Sequence, residues 1–318
     1  MTKTPTGTPP LDAGTQGRIA LPFALVTLIW GSTWLAIHSQ FGPVPTAWSV
    51  TYRFAVAAVA MFGVALAMRA PLRMDRTGHG IAIAMGLFTF AINYNLVYLA
   101  ELHITSGLVA VLFSLLVPFN AVFARLFLKQ GLSRPFLIGS AVAMLGVALL
   151  FAHELGAADS SRDDVVRGIG FTVVAVLFAS FGNVLQGSRR ARAFTMATLL
   201  AWGMGWGALL DAAMAWATSG PPVFELRAGY VAGLLYLGIV ASAVAFTLYF
   251  TLIRRIGAAR GGYVNVLIPV IAMGFSTLFE GYRWTGTAGA GGMLVLVGLV
   301  LAMRARGDAA APKRGQAA

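Results

Sequence analysis

Ten apolar runs of about twenty residues each dominate the chain, at roughly 19–39, 46–69, 79–100, 104–128, 135–152, 167–187, 195–218, 228–253, 258–279 and 285–304. A helix rising about 1.5 Å per residue needs about twenty apolar residues to cross the roughly 30 Å of hydrocarbon in a bilayer. Composition points to the same solvent. Hydrophobic residues make up 58% of the 318 positions and charged residues 11%, against about 45–50% apolar content in a soluble domain. Lipid offers no partner to backbone N–H and C=O groups, so spans of this kind must satisfy their hydrogen bonds internally, as helices. The sequence therefore predicts an all-α integral membrane protein with ten transmembrane helices. The connections are short, the longest being the polar stretch from Gly156 to Arg167, which leaves no room for a soluble domain.

Charge placement sets the expected orientation. With the spans alternating from a cytoplasmic N-terminus, one side collects eighteen of the 23 basic residues, among them Arg69, Arg73, Arg125, Lys129, Arg189, Arg190, Arg254, Arg255 and Arg260. The other side collects Glu101, Glu154, Asp159, Asp163, Asp164, Glu225 and Glu280. Positive loops stay cytoplasmic, so both termini are expected there. The net charge of +12 is then an orientation signal rather than a nucleic-acid footprint, and no nucleic-acid partner is expected. The first run follows a polar Pro/Thr/Gly-rich tail, exceeds an ordinary signal-peptide core and lacks a clear cleavage site, so it reads as a retained helix. The resulting division is a disordered cytoplasmic tail over 1–18, a first half over 19–152, a periplasmic loop over 153–166, a second half over 167–305, and a disordered cytoplasmic tail over 306–318.

The halves are related. A shift of 151 positions lays Tyr98 on Tyr249, Leu116 on Leu267, Pro118 on Pro269 and Ala121 on Ala272. The segment "HITSGLVAVLFSLLVPF" falls without a gap on "RRIGAARGGYVNVLIPV", and each is followed by a glycine-rich span, "IGSAVAMLGVALL" and "GAGGMLVLVGLVL". Five spans per half is an odd number, so the second half enters the membrane from the opposite side and the repeats are inverted. Pro118 and Pro269 then stand at corresponding places in the fourth and ninth spans. Proline removes a backbone donor and disrupts the turn before it, and paired interruptions in inverted halves mark the hinges and binding site of an alternating-access carrier.

These segments, with "LIWGSTW" in the first span and "YRFAVAA" in the second, resemble the EamA-type transporters of the drug/metabolite transporter superfamily over nearly the whole membrane part. Within it the chain looks most like bacterial amino-acid and aromatic-amino-acid exporters. The resemblance implies ten helices, cytoplasmic termini in a bacterial inner membrane, and metabolite transport, usually export. One departure is visible: the first-half turn where the family often carries glutamate has Gln130, whereas Glu280 keeps the acid.

Polar groups inside spans are costly and need a reason. The candidates for substrate contact are Trp30, Ser32 and Trp34 in the first span; Asn93, Tyr94 and Tyr98 in the third; Ser114 near Pro118; Asn183 in the sixth; Trp202 in the seventh; Tyr249 in the eighth; and Tyr263 and Asn265 before Pro269. Amides and hydroxyls offer donors and acceptors without a net charge, and aromatic faces accept a cation or an apolar side chain. A small amphoteric solute such as an amino acid suits this set, whereas a strongly anionic one would call for inward Arg or Lys. Polar and small residues also glue helices together, and that use competes with substrate contact at each position. Arg53, about seven residues below the end of its span, could snorkel outward, bind a substrate carboxylate, or pair with Glu101 or Glu280 as an outer gate, and it reads first as a structural or gating charge. Asp211, the one carboxylate clearly within a span, counts out near the outer interface. Gly203, Gly205 and Gly207 lie inside an apolar span and read as a close helix approach rather than a phosphate loop. His38, His79, His103 and His153 fall near span ends without metal spacing.

No cofactor or metal is called for. The chain has no cysteine, and no H-E-x-x-H, G-x-S-x-G or G-x-x-x-x-G-K-[ST] motif supports an enzyme or a P-loop pump. Lipophilic drug efflux is the alternative reading, followed by a passive channel and a membrane enzyme. Driving force, substrate range and oligomeric state do not follow from the sequence, and nothing in it requires more than a monomer.

Overall fold

A computed structural model describes residues 13–157, 162–249, 251–252 and 263–310. The described residues form ten helical rods and no strand: α1 (Ala13–His38), α2 (Thr46–Ala67), α3 (Arg76–Glu101), α4 (Ser106–Leu128), α5 (Arg134–Ala157), α6 (Arg162–Gln186), α7 (Met196–Ser219), α8 (Ala228–Tyr249), α9 (Val264–Phe279) and α10 (Gly286–Ala310). Eight are long and apolar enough to cross a membrane. The other two are α9, which is shorter, and α7, which its glycines, tryptophans and Asp211 make less apolar. Residues 258–262 of the expected ninth span, and Arg254, Arg255 and Arg260, lie outside the described residues.

Several boundaries differ from the sequence expectation. Asp75 caps α3 by accepting from the Gly78 N–H at 2.7 Å, so this helix starts three residues early. The stretch between the halves is largely helical: α5 runs to Ala157 and α6 starts at Arg162, leaving four residues between them. Asp163 and Asp164 stand in the first turn of α6, where carboxylates complement the helix dipole. Parts of both expected tails are also helical, 13–18 in α1 and 306–310 in α10.

Loop contacts group the helix ends into two faces. At one, which carries the acidic residues, Arg227 donates to the carbonyls of Ser39 and Phe41, Tyr52 to that of Val223, and His103 pairs with Asp164 at 2.9 Å. At the other, basic face, Thr198 donates to the Pro71 carbonyl at 2.9 Å. Between the faces the helices pair as α1 with α8 and α9, α6 with α3 and α4, α2 with α8, α7 with α3, and across as α2 with α7, α4 with α9 and α5 with α10.

The α5–α10 contact is a glycine crossing. Gly139 and Gly146 on α5 face Gly291 and Gly298 on α10, one pair of glycines seven residues apart against another. A Cβ on Gly146 would lie 2.5 Å from the Val295 nitrogen, and one on Gly291 would lie 2.9 Å from the Gly146 carbonyl oxygen. Here only glycine lets the backbones approach. Gly203 and Gly207 do the same for α7 against α3, at Gly86 and Phe90. Apolar side chains such as Leu66, Val59, Leu126, Leu145, Leu209 and Leu278 remain exposed on the outside of the bundle, as lipid-facing residues do.

Two helices widen in the middle. Gly86–Ile92 of α3 and Tyr236–Val244 of α8 are π-helical, a rare geometry that often marks functional sites. Ser242 donates to the carbonyl of Leu237, five residues back, as that wider turn allows. In α4 a 3-10 turn at Phe113–Leu115 precedes Pro118, which cannot donate to the carbonyl of Ser114. No matching interruption occurs at Pro269, which sits inside an α-helix continuous from Val264 to Phe279.

Candidate transport site

The sequence-predicted residues separate into distinct groups. Trp30 and Trp34, one turn apart on α1, share a face. The Trp30 indole N–H donates to the Ala241 carbonyl in the π-helical part of α8 at 3.0 Å, and its ring meets Phe246 and Tyr249 at 5.2 and 4.9 Å. Tyr249 in turn hydrogen-bonds Asn265 on α9. Trp34 packs on Phe113 at the 3-10 turn of α4, 4.8 Å between centroids. Ser32 shares a 2.6 Å hydrogen bond with Tyr236 and donates to the Leu28 carbonyl. This group joins α1, α4, α8 and α9, with aromatic rings around hydrogen bonds made inside the protein. Tyr263 stands at the start of α9, half-buried.

A second, polar group lies between α3, α4 and α6. The hydroxyls of Thr89, Ser114 and Ser180 are buried without hydrogen-bond partners. Asn183 donates to Asn120 at 3.5 Å, the limit of a hydrogen bond. Asn93 is buried immediately after the π-helical turn of α3.

The third group occupies the acidic end. Arg53 is 2% exposed and Glu101 5%, so both charges are inside the bundle. The guanidinium stands over the Tyr94 ring at 4.3 Å and the Phe54 ring at 5.4 Å, and Tyr98 follows Tyr94 by one turn. Glu280 reaches from the second half into the first: its carboxylate accepts from the Ser106 hydroxyl at 2.8 Å and from the Ser106 N–H at 3.2 Å, capping α4. Two residues on, the Tyr282 hydroxyl donates to Glu154 of α5 at 2.8 Å. Burial, and then the bond to Glu154, hold the Tyr282 phenol above its ordinary range.

Trp202 is not brought to any of these groups. It stands at the basic end, where its indole N–H donates to the Leu72 carbonyl at 2.9 Å and its ring meets His79 at 4.7 Å. His79, in the first turn of α3, is wedged between Trp202 and Trp206. Asp211 is fully buried, because α2 and α3 cover α7, and Asn95 donates to it at 2.7 Å. No sequence signal links Asn95 to Asp211, since they are 116 positions apart. Among the described residues no group of three or more His, Asp or Glu side chains is placed to hold a metal.

Helices that exceed a bilayer's thickness, with apolar side chains outside and polar groups within, define a multi-pass membrane protein. The chain belongs to the EamA-like transporter family, which matches residues 18–152 and 166–304. Protein PagO of Salmonella typhimurium is 24% identical over 283 residues, covering 89% of this chain and 90% of that protein. Probable amino-acid metabolite efflux pumps of Salmonella typhimurium and Escherichia coli are 22% and 23% identical, each comparison covering 90% of this chain and 94% of the relative. A protein crystal structure shares the fold with a TM-score of 0.65 at 18% identity, over 91% of this chain and 99% of that one.

Proposed function

We propose that this protein is a secondary carrier that exports small metabolites, neutral and aromatic amino acids first among them, by alternating access between two inverted five-helix halves. The observation that carries this reading is the pattern of helix pairing. Exchanging each helix for the one five places along turns α1–α8 into α6–α3, α1–α9 into α6–α4 and α2–α8 into α7–α3, while α2–α7, α4–α9 and α5–α10 map onto themselves. The π-helical stretches of α3 and α8 obey the same offset as Pro118 and Pro269. Such a pairing suits two halves, 19–152 and 167–305, that rock against each other about a site between them. The connection over 153–166 is assigned to the periplasm, and the tails 1–18 and 306–318 to the cytoplasmic side of a bacterial inner membrane, by the basic and acidic faces.

The site takes its substrate between the aromatic group of Trp30, Ser32, Trp34, Tyr249, Tyr263 and Asn265 and the polar group of Asn93, Ser114 and Asn183. Two relatives described as probable amino-acid metabolite efflux pumps support amino acids as cargo. Trp202 acts from the basic end, where it ties α7 to the connection before α3. The Glu280–Ser106 and Tyr282–Glu154 bonds close the acidic end, so the described conformation is shut toward the periplasm. Opening must break them, with hinges at Pro118, where a 3-10 turn precedes the proline, and at Pro269, around which α9 is continuous in the described conformation.

Purified protein in liposomes tests the reading through uptake of radiolabelled phenylalanine and other neutral amino acids, with and without the same solute preloaded. Saturable uptake accelerated by preloading is the predicted result. Flux that neither saturates nor exchanges would indicate a channel, and exchange of lipophilic drugs alone would transfer the site to drug efflux.

A further inference from the structure

The interior holds a guanidinium and a carboxylate that do not satisfy each other. Arg53 leaves Nε and Nη1 without a hydrogen-bond acceptor and Glu101 leaves both carboxylate oxygens without a donor, while the Tyr98 hydroxyl faces the Arg53 guanidinium. All three side chains are buried. Charges taken out of water are retained when paired and hydrogen-bonded, and a buried charge lacking both calls for a partner that comes and goes. The rings of Tyr94 and Phe54 stand by the cation, yet leave its Nε and Nη1 N–H groups unused. Glu280, the other acid nearby, is occupied by the Ser106 N–H and hydroxyl.

We propose that Arg53, Tyr98 and Glu101 form a recognition subsite for a zwitterion, with Arg53 and Tyr98 donating to the substrate's α-carboxylate and Glu101 accepting from its ammonium. This rests on the amino-acid reading above and specifies it. The charge pattern is what selects the class. A lone anion would gain Arg53 but be repelled by Glu101, and a lone cation would gain Glu101 but be repelled by Arg53. A solute carrying an ammonium and a carboxylate on one carbon satisfies both and restores a hydrogen-bonded interior. The subsite lies just inside the Glu280 closure, on the route that opens when that closure breaks, and it leaves the side chain of the substrate to the aromatic residues.

The test uses three probes with one side chain: phenylalanine, phenethylamine, which lacks the carboxylate, and 3-phenylpropanoate, which lacks the ammonium. In the wild-type protein reconstituted in liposomes, each truncated probe should compete with labelled phenylalanine about tenfold to a hundredfold more weakly than phenylalanine itself, the loss of one charge-assisted contact. Arg53→Gln should raise the KM for phenylalanine by a similar factor and abolish the preference over phenethylamine. Glu101→Gln should abolish the preference over 3-phenylpropanoate. Exchange of phenylalanine with both preferences unchanged in the variants overturns the subsite and leaves the carrier intact. Absence of any amino-acid exchange in the wild type overturns the transport reading itself. Should a variant fail to fold, thermal stabilisation of the wild-type protein by the three probes decides: a shift confined to phenylalanine supports the subsite, and equal shifts, or none from phenylalanine when it is exchanged, overturn it.

Discussion

Glu280 joins the two halves through one side chain, and its removal should be felt as a change in conformational balance. A carboxylate capping a helix through an N–H and a hydroxyl contributes about 1.5–3 kcal/mol; losing part of this in Glu280→Gln favours the open acidic end by about tenfold. The chain has no cysteine, so a single Leu108→Cys, buried near the capped end of α4, reports the opening. Its labelling by a membrane-impermeant maleimide should quicken by about that factor when Glu280→Gln is added, and an unchanged rate would remove Glu280 from the closure. Charged residues were the most legible part of the candidate site. Arg53, Glu101 and Glu280 stand out against apolar surroundings, and their gathering at one end follows from span counting alone. The use of each polar group was not legible. Trp202 looks like a substrate aromatic until Leu72 is seen to take its N–H, and nothing in the sequence tells that Asn95 donates to Asp211.

The glycine crossing of α5 and α10 fixes one rigid contact between the halves. Gly146→Val would drive a side chain into the α10 backbone and should cost about 3 kcal/mol, read as a lower melting temperature or loss of monodisperse protein. Gly274→Ala, in α9 where no atom lies within 4 Å of the added Cβ, should be neutral or stabilise by up to about 1 kcal/mol. Equal behaviour of the two variants would sink the assignment. Pro118→Ala restores a donor toward Ser114 and should slow transport by about tenfold, or about 1.4 kcal/mol on a conformational step, with melting little changed. Unaltered transport would leave the bend without a part in the cycle. The glycine stripes were visible in the sequence because small residues recur at fixed spacing in both halves. The π-helical stretches were not: one extra residue per turn leaves apolar composition unchanged, and only the neighbours of α3 and α8 reveal it. Pro269 shows the converse, since a proline predicts a lost hydrogen bond but not whether the helix will visibly break.

The pairing of helices is a property of the whole bundle, and the proposed alternating access rests on it. Length, hydropathy and the offset between the prolines made an all-helical membrane protein readable from the sequence, while the partners of each helix depend on contacts between distant residues. The account requires the two ends to open in turn, because halves that rock about a shared site close one face as they open the other. Spin labels attached through Leu102→Cys and Trp284→Cys report the acidic end, and through Gln130→Cys and Thr251→Cys the basic end. Pulsed electron–electron distance measurements in lipid, with and without saturating phenylalanine, test the account most directly. It predicts that substrate moves the two distance distributions in opposite directions, one longer and one shorter; distributions that widen together, or an opening of the acidic end with no response at the basic end, would contradict it.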